Sequence, residues 1–219
     1  MHKNEDINPL TLIGGGDVAR ADLDAALALA PTLVAADGGA QAAVDFGYKP
    51  EWVIGDLDSL SEEARGIVGA DRVLEIAEQD STDFEKCLRT LRARILLCVG
   101  FLGRRLDHQL AVLHAVARAR EGRCILLGAS EVVFHVPRKF TLDMARGDVV
   151  SLFPFAATSG RSEGLEWPID NLPLAPSGMI STSNRALGRI VIETDAPGLL
   201  VILPRSYLNA VMQEIAGAF

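Results

Sequence analysis

Strand-like apolar runs alternate with helical spacings from residue 10 to residue 128, and this alternation restricts the fold more than any other feature of the chain. Leu10-Thr11-Leu12-Ile13 reads as a strand closed by Gly14-Gly15-Gly16. Residues 20–30 are rich in alanine and leucine at helical spacing, and Pro31 stops them. The pattern then predicts strands over 32–36, 52–54, 73–76, 95–99 and 125–127, with helices over 40–46, from Thr82, and over 107–121. Thr82 and Glu85 have the spacing of a capping box, with Phe84, Cys87, Leu88 and Leu91 forming one apolar face behind it. Strand and helix in this order predict a parallel sheet with helices on both faces, a Rossmann-like α/β layer.

From about Glu131 the pattern changes. Short apolar stretches over 132–136, 148–153, 179–181, 189–193 and 199–203 recur every eight to twelve residues, separated by Pro154, Gly160, Pro168, Pro173, Pro176, Gly188 and Pro197. That rhythm predicts antiparallel strands in a smaller, all-β sandwich. The expected organisation is a loose tail over 1–9, an α/β domain over 10–130 and a β-sandwich domain over 131–219. With 219 residues and 49% hydrophobic content the chain has ample core. No apolar stretch approaches the ~18 residues of a membrane span, and residues 1–9 lack the apolar segment of a secretory signal, so a cytoplasmic home is expected. A net charge of −8 argues against nucleic-acid binding. Cys87, Cys98 and Cys124 have no disulfide or zinc spacing and read as buried hydrophobes.

Five aspartates fall in three short stretches where apolar runs end: Asp37-Gly38-Gly39, Gly55-Asp56-Leu57-Asp58-Ser59 and Asp80-Ser81-Thr82-Asp83. Strand ends of an open parallel sheet face one crevice, so these carboxylates are expected to converge. Converging carboxylates repel unless a cation lies between them, and a hard divalent ion such as Mg²⁺ implies a phosphorylated ligand. On an extended backbone Asp56 and Asp58 would point the same way and share an ion; a simple turn is the alternative. Asp80, Ser81, Thr82 and Asp83 offer more oxygens than one helix cap needs. Gly100 to His108 leads from a buried strand into a helix. Arg105 offers a planar fork for phosphate oxygens, Asp107 reads as either a helix N-cap or a site residue, and His108 as either a first-turn neighbour of the site or a solvent-facing residue. Gly14-Gly15-Gly16-Asp17 lacks the residues of a P-loop and the spacing of a dinucleotide fingerprint. Ser181-Thr182-Ser183-Asn184 is either a β-turn or a polar surface for a heterocycle, and Trp167 either core or a ligand platform.

Taken together and in this order, these pieces resemble the thiamine pyrophosphokinase family. The matching stretches are 36–40, 55–59, 79–88, 105–108, 164–167 and 181–184, which cross both expected domains. The resemblance implies transfer of pyrophosphate from ATP to the hydroxyethyl group of thiamine, giving thiamine diphosphate and AMP. It implies Mg²⁺ (with Mn²⁺ as an alternative) on Asp56, Asp58 and Asp83, with Asp80 nearby. It places Asp37, Gly38, Gly39, Thr82, Lys86, Arg105, Asp107 and His108 around ATP. Gln79, Ser181, Thr182, Ser183 and Asn184 would meet thiamine, and a homodimer would form the thiamine sites between subunits.

Two departures from the family pattern stand out. Phe101 and Arg104 interrupt the glycine-rich run before Arg105, and Arg185-Ala186-Leu187 follows Asn184 where animal members carry an aromatic residue. In the implied reaction the thiamine alcohol attacks the β-phosphorus in line while the protein positions the partners and neutralises charge. Asp80 or Asp83 would accept the alcohol's proton. The rival readings are a Mg²⁺-dependent phosphohydrolase or nucleotidyltransferase on another substrate, and a non-catalytic nucleotide sensor.

Overall fold

The computed structural model of the chain describes residues 8–119 and 123–217. Most of the tail expected over 1–9 lies outside them, as does the end of the helix expected over 107–121. The fold is mixed α/β and divides into two compact units between Val112 and Leu113.

The first unit holds a parallel sheet of β1 (Leu10–Ile13), β2 (Thr32–Ala36), β3 (Trp52–Gly55), β4 (Val73–Glu75) and β5 (Leu96–Val99), in the order β5-β1-β2-β3-β4. Its helices are α1 (Arg20–Leu27), α2 (Gly39–Asp45), α3 (Glu62–Val68) and α4 (Asp83–Thr90). Strands β1, β2 and β5 are apolar and buried almost throughout, which a sheet covered on both faces requires. The chain moves outward from β1 to β4 and then returns to the other side of β1 for β5. The loops after β1 and β5 therefore meet where the strand order reverses. There Gly14 N–H donates to Val99 O and Gly16 N–H to Gly100 O, at 2.9 and 2.8 Å.

Helix α4 starts as expected. Thr82 Oγ1 accepts from Glu85 N–H at 3.3 Å, and Glu85 Oε2 accepts from Thr82 N–H at 3.2 Å. Phe84 and Cys87 are buried, and so is Lys86, which the apolar pattern did not include. Helix α5 (Leu106–Arg118) runs through the division between the units and begins one residue earlier than expected. Asp107 is thus its second residue and not its N-cap; its carboxylate is engaged instead by the side chain of Arg105.

The second unit is built on antiparallel pairs among β6 (Cys124–Leu127), β7 (Glu131–His135), β8 (Lys139–Asp143), β9 (Val149–Pro154), β10 (Gly160–Leu165), β11 (Ser181–Thr194) and β12 (Leu199–Pro204). Their order is β10-β11-β9-β12-β7-β6, with β8 also paired to β11. The long β11 pairs with β9 through its first residues, with a register shift between Ser181 and Asn184 inside that pairing, and with β10 and β8 from Ala186 onward. The unit closes with α6 (Leu208–Gly217), a helix that the reading of 131–219 as all-β did not contain. Its Leu208, Val211, Met212 and Ile215 repeat at helical spacing and are buried. Among the described residues no helix is long and apolar enough to cross a membrane.

Candidate active site

Strand ends deliver the carboxylates. Asp37 follows β2 and adopts a left-handed backbone (φ 38°), which aspartate tolerates better than most residues. Its backbone N–H donates to Ile54 O at 2.9 Å, which ties it to the end of β3. Gly55, the last residue of β3, is squeezed between two of the acids. A Cβ there would come within 2.8 Å of Asp37 Cβ and 3.0 Å of Asp83 Oδ1, so only glycine lets these two loops close on each other. Gly39 is equally confined: its Cβ would approach Ile13 O to 2.3 Å.

Asp56 and Asp58 do not converge through extended backbone. Leu57 is left-handed (φ 68°), and the chain turns so that Asp58 N–H points to Asp56 Oδ1 at 3.4 Å. Aspartates favour turns closed onto their own backbone, and here that preference replaced the strand-like alternation. The outcome brings one carboxylate oxygen each of Asp37, Asp56 and Asp58 within 4.8 Å of one another. Asp37 is 4% exposed, and its Oδ1 is one of two buried side-chain polar atoms without a hydrogen-bond partner among the described residues. A buried carboxylate oxygen left unsatisfied is costly, and a hard cation is the partner that suits it. These three acids therefore fit a divalent ion.

Asp83 faces another partner. Lys86, 1% exposed, places its Nζ 3.0 Å from Asp83 Oδ1 and 3.1 Å from Asp56 Oδ2. Asp83 Oδ1 also accepts Asp56 N–H at 3.2 Å, and Gln79 Nε2 donates to Asp56 Oδ2 at 3.1 Å. Burial opposes the Lys86 ammonium, but its bonds to Asp83 and Asp56 outweigh that, and its pKa lies above the usual lysine value. Burial likewise raises Asp56, yet Lys86, Asp58 N–H and Gln79 hold it below the usual carboxylate range. Asp37 lacks such help. Burial first, then the charges of Asp83 and Asp58, push its carboxyl from 3.8 up to about 6, against the Ser59 N–H bond at 3.2 Å.

This shift has a testable sign. The folded chain holds the Asp37 proton more tightly than the unfolded chain, so the associated stability is complete below about pH 4 and lost as pH rises through about 6. Asp37→Asn removes that titration and tolerates the left-handed backbone. Without divalent ions, the variant's stability relative to the native chain is expected to rise by on the order of 2 kcal/mol between pH 4.5 and 7.5. Urea denaturation in chelator at both pH values measures it; a difference that does not move with pH would contradict the assignment.

The loop before α4 is braced from below. Glu78 Oε2 accepts the N–H groups of Asp80 and Ser81 at 2.8 and 3.1 Å, while its Oε1 pairs with Arg89 at 2.6 Å and with the Ser81 hydroxyl. The two residues that interrupt the glycine run are also engaged. The Phe101 ring packs at a tilt against Phe84, with centroids 4.6 Å apart. Arg104, left-handed at φ 57°, binds the β1 loop through Asp17 (N–H to Oδ2, 3.0 Å) and Gly15 O (2.9 Å). Arg105 is exposed and forked on Asp107 at 3.1 and 2.6 Å, and Asp107 also accepts His108 N–H at 3.0 Å.

In the second unit the register shift in β11 turns Asn184 inward to 1% exposure. Its Oδ1 accepts Trp167 N–H at 3.1 Å and Arg185 N–H at 2.8 Å; its Nδ2 donates to Trp167 O at 2.6 Å and Ser181 Oγ at 3.3 Å. The amide thus holds the backbone of Trp167 from both sides, while the indole stays 54% exposed. Ser181 is half-buried; Thr182 and Ser183 are exposed, and Ser183 N–H is held by Ser151 Oγ at 2.9 Å.

Two family profiles match the chain in tandem: "Thiamin pyrophosphokinase, catalytic domain" over residues 23–127 and "Thiamin pyrophosphokinase, vitamin B1 binding domain" over residues 131–199. The chain belongs to the thiamine pyrophosphokinase family. It is 29% identical to thiamine pyrophosphokinase 1 of Oryza sativa subsp. japonica, over 69% of this chain and 70% of that protein. It is 32% identical to thiamine pyrophosphokinase 3 of the same plant, over 63% and 58%. The fold is similar to the crystal structure of yeast thiamin pyrophosphokinase, with a TM-score of 0.71 at 22% identity, covering 93% of this chain and 88% of that one.

Within this family member, the structure brings Asp37, Gly55, Asp56, Asp58, Gln79, Asp83 and Lys86 together in the first unit. Thr82 uses its hydroxyl and N–H in the capping box, and Asn184 spends its whole amide on internal bonds. Glu78 and Arg89 were not among the candidate site residues, and Trp167, read as either core or a ligand platform, is too exposed to be core. No spacing rule joins Glu78 to Arg89.

Proposed function

We propose that the chain is a transferase that moves the pyrophosphoryl group of ATP to the hydroxyl of thiamine, releasing AMP, at the carboxylate cluster of the first unit. The convergence of Asp37, Asp56 and Asp58 around an unsatisfied buried oxygen, in a member of this family, carries the reading. We read the parallel sheet as a Rossmann-like ATP-binding layer, residues 10–130 as the catalytic domain and 131–219 as a β-sandwich that binds thiamine. A cytoplasmic homodimer belongs to the same reading.

Asp37, Asp56 and Asp58 would hold Mg²⁺, or Mn²⁺ in its place, and Asp83 supports them through Lys86. Such an ion, when bound, withdraws negative charge from phosphate oxygens. Lys86 fixes the orientation of Asp56 and Asp83. Arg105 exchanges its exposed Asp107 partner for phosphate oxygens at little cost, because both groups already face water. The glycine backbones at 14–16, 38–39 and 100 let the triphosphate approach the strand ends. Asp83 Oδ1 is occupied by Lys86 and Asp56 N–H, so the thiamine proton goes to the Asp80 carboxylate or to Asp83 through its other oxygen. In-line attack on the β-phosphorus then expels AMP, and catalysis is mainly placement and charge neutralisation.

In the second unit, Trp167 supplies the aromatic face that Arg185, Ala186 and Leu187 lack. Thiamine is a cation, and an indole face attracts it. Ser181, Thr182 and Ser183 offer hydroxyls beside it, and Asn184 acts by holding Trp167. Gln79 remains a thiamine contact in this reading. Trp167→Ala is expected to raise the thiamine KM at least tenfold and Ser181→Ala severalfold, with ATP KM changing less than twofold; equal changes in both KM values would refute the assignment.

The direct test mixes the chain with ATP, Mg²⁺ and thiamine and weighs the products. Thiamine diphosphate and AMP are expected. ADP or free pyrophosphate, or ATP cleavage without thiamine, would indicate a phosphohydrolase or nucleotidyltransferase. Tight ATP binding without turnover would indicate a sensor.

A further inference from the structure

Lysine is almost never fully buried unless paired, and Lys86 is among the largest fully buried side chains of the chain. It bridges two carboxylates from different loops at 3.0 and 3.1 Å, as a cation shared between Asp56 and Asp83 would. The helix fixes it there: Lys86 N–H donates to Thr82 O at 2.9 Å, and Thr90 Oγ1 donates to Lys86 O at 2.7 Å. An ion midway between Asp56 Oδ2 and Asp83 Oδ1 would occupy the position that the Lys86 ammonium holds. On each acid the oxygen that shares Lys86 takes a further bond: Asp56 Oδ2 also accepts from Gln79, and Asp83 Oδ1 from Asp56 N–H. Asp37, Asp56 and Asp58 form the group within 4.8 Å, Asp83 is not in it, and the orphaned oxygen belongs to Asp37.

We infer that Lys86 takes the place of a second divalent ion, so that the protein without nucleotide holds one divalent cation beside a resident ammonium. Charge supports this count. Four carboxylates and one ammonium leave three negative charges, which one divalent ion reduces to one; a second would make the cluster positive and compete with Lys86 for the same oxygens. A tethered ammonium also stays in place whatever the metal concentration, so Asp83 is neutralised before any ion arrives. The inference rests on the cation site proposed above and goes beyond it by fixing the number of ions.

The test is a Mn²⁺ titration of the nucleotide-free chain at pH 7.5, with free Mn²⁺ counted by electron paramagnetic resonance. One Mn²⁺ per chain is expected. Two of comparable affinity would overturn the inference and leave the carboxylate site standing; none would remove the site and the inference together. Lys86→Met, which keeps the stem and deletes the charge, is expected to bind two, and Lys86→Arg to bind one. A single Mn²⁺ in folded Lys86→Met would show that the ammonium excludes nothing. If that variant does not fold, the count on the native chain decides alone.

Discussion

Lys86→Met is expected to unfold about 10 °C below the native chain in chelator, measured by thermal denaturation at pH 7.5. The side chain is 1% exposed and its ammonium is the cation in direct contact with Asp56 and Asp83. Deleting it leaves carboxylates facing one another with little water to screen them. Breaking a buried ion pair from one side typically costs about 3–5 kcal/mol, and for a chain of this size each kcal/mol moves Tm by about 2–4 °C. Replacing the whole cluster by apolar groups would be a different experiment; what is penalised here is the uncompensated charge that remains. Millimolar Mn²⁺ should restore part of the loss, since an added ion can take over the vacated oxygens. A Tm within 2 °C of the native value would mean that Asp56 and Asp83 shed their charge on their own.

Asp58→Asn is expected to lower AMP formation by about 10³-fold while leaving Tm nearly unchanged, which separates it from every other acid in the cluster. Asp58 is exposed, and its carboxylate accepts the neighbouring Ser59 hydroxyl at 2.9 Å. Losing its charge therefore disturbs little in the fold. Its oxygen nevertheless belongs to the group of three, and removing a charge-stabilising group from a reacting phosphoryl centre costs about 4 kcal/mol in the barrier, or about 10³ in rate. Asp83→Asn should lose activity and stability together, because it strips Lys86 of a partner. Steady-state AMP release with melting curves on both variants checks the contrast. Near-normal turnover in Asp58→Asn would remove it from the cation site.

Local rules made much of the first unit legible. The alternation of apolar runs located β1 to β5 within about a residue; β1, β2 and β5 are buried almost throughout and read as continuous hydrophobic stretches, while β4 at the sheet edge is largely exposed. The capping box at Thr82 and Glu85 formed as its spacing predicts, since it needs only four consecutive residues. The second unit was less readable. Strands β8 and β10 went unmarked, as Lys139–Asp143 and Gly160–Leu165 mix polar and apolar residues on half-exposed strands. Helix α6 was missed where a turn-rich rhythm had set the expectation of strands.

Residue order by itself determined that acidic loops follow strands in a parallel layer and that the motifs occur in the family's sequence. Which acids meet was decided elsewhere. Asp37 joins Asp56 and Asp58 because β2 and β3 are neighbours in register and Gly55 has no side chain to hold their loops apart. Asp83 goes to Lys86 because the first turn of α4 swings both toward the end of β3. Asn184 turns inward because β11 shifts register beside it. Each of these depends on distances between segments far apart along the chain, and periodicity, capping and turn preferences act over only a few residues at a time.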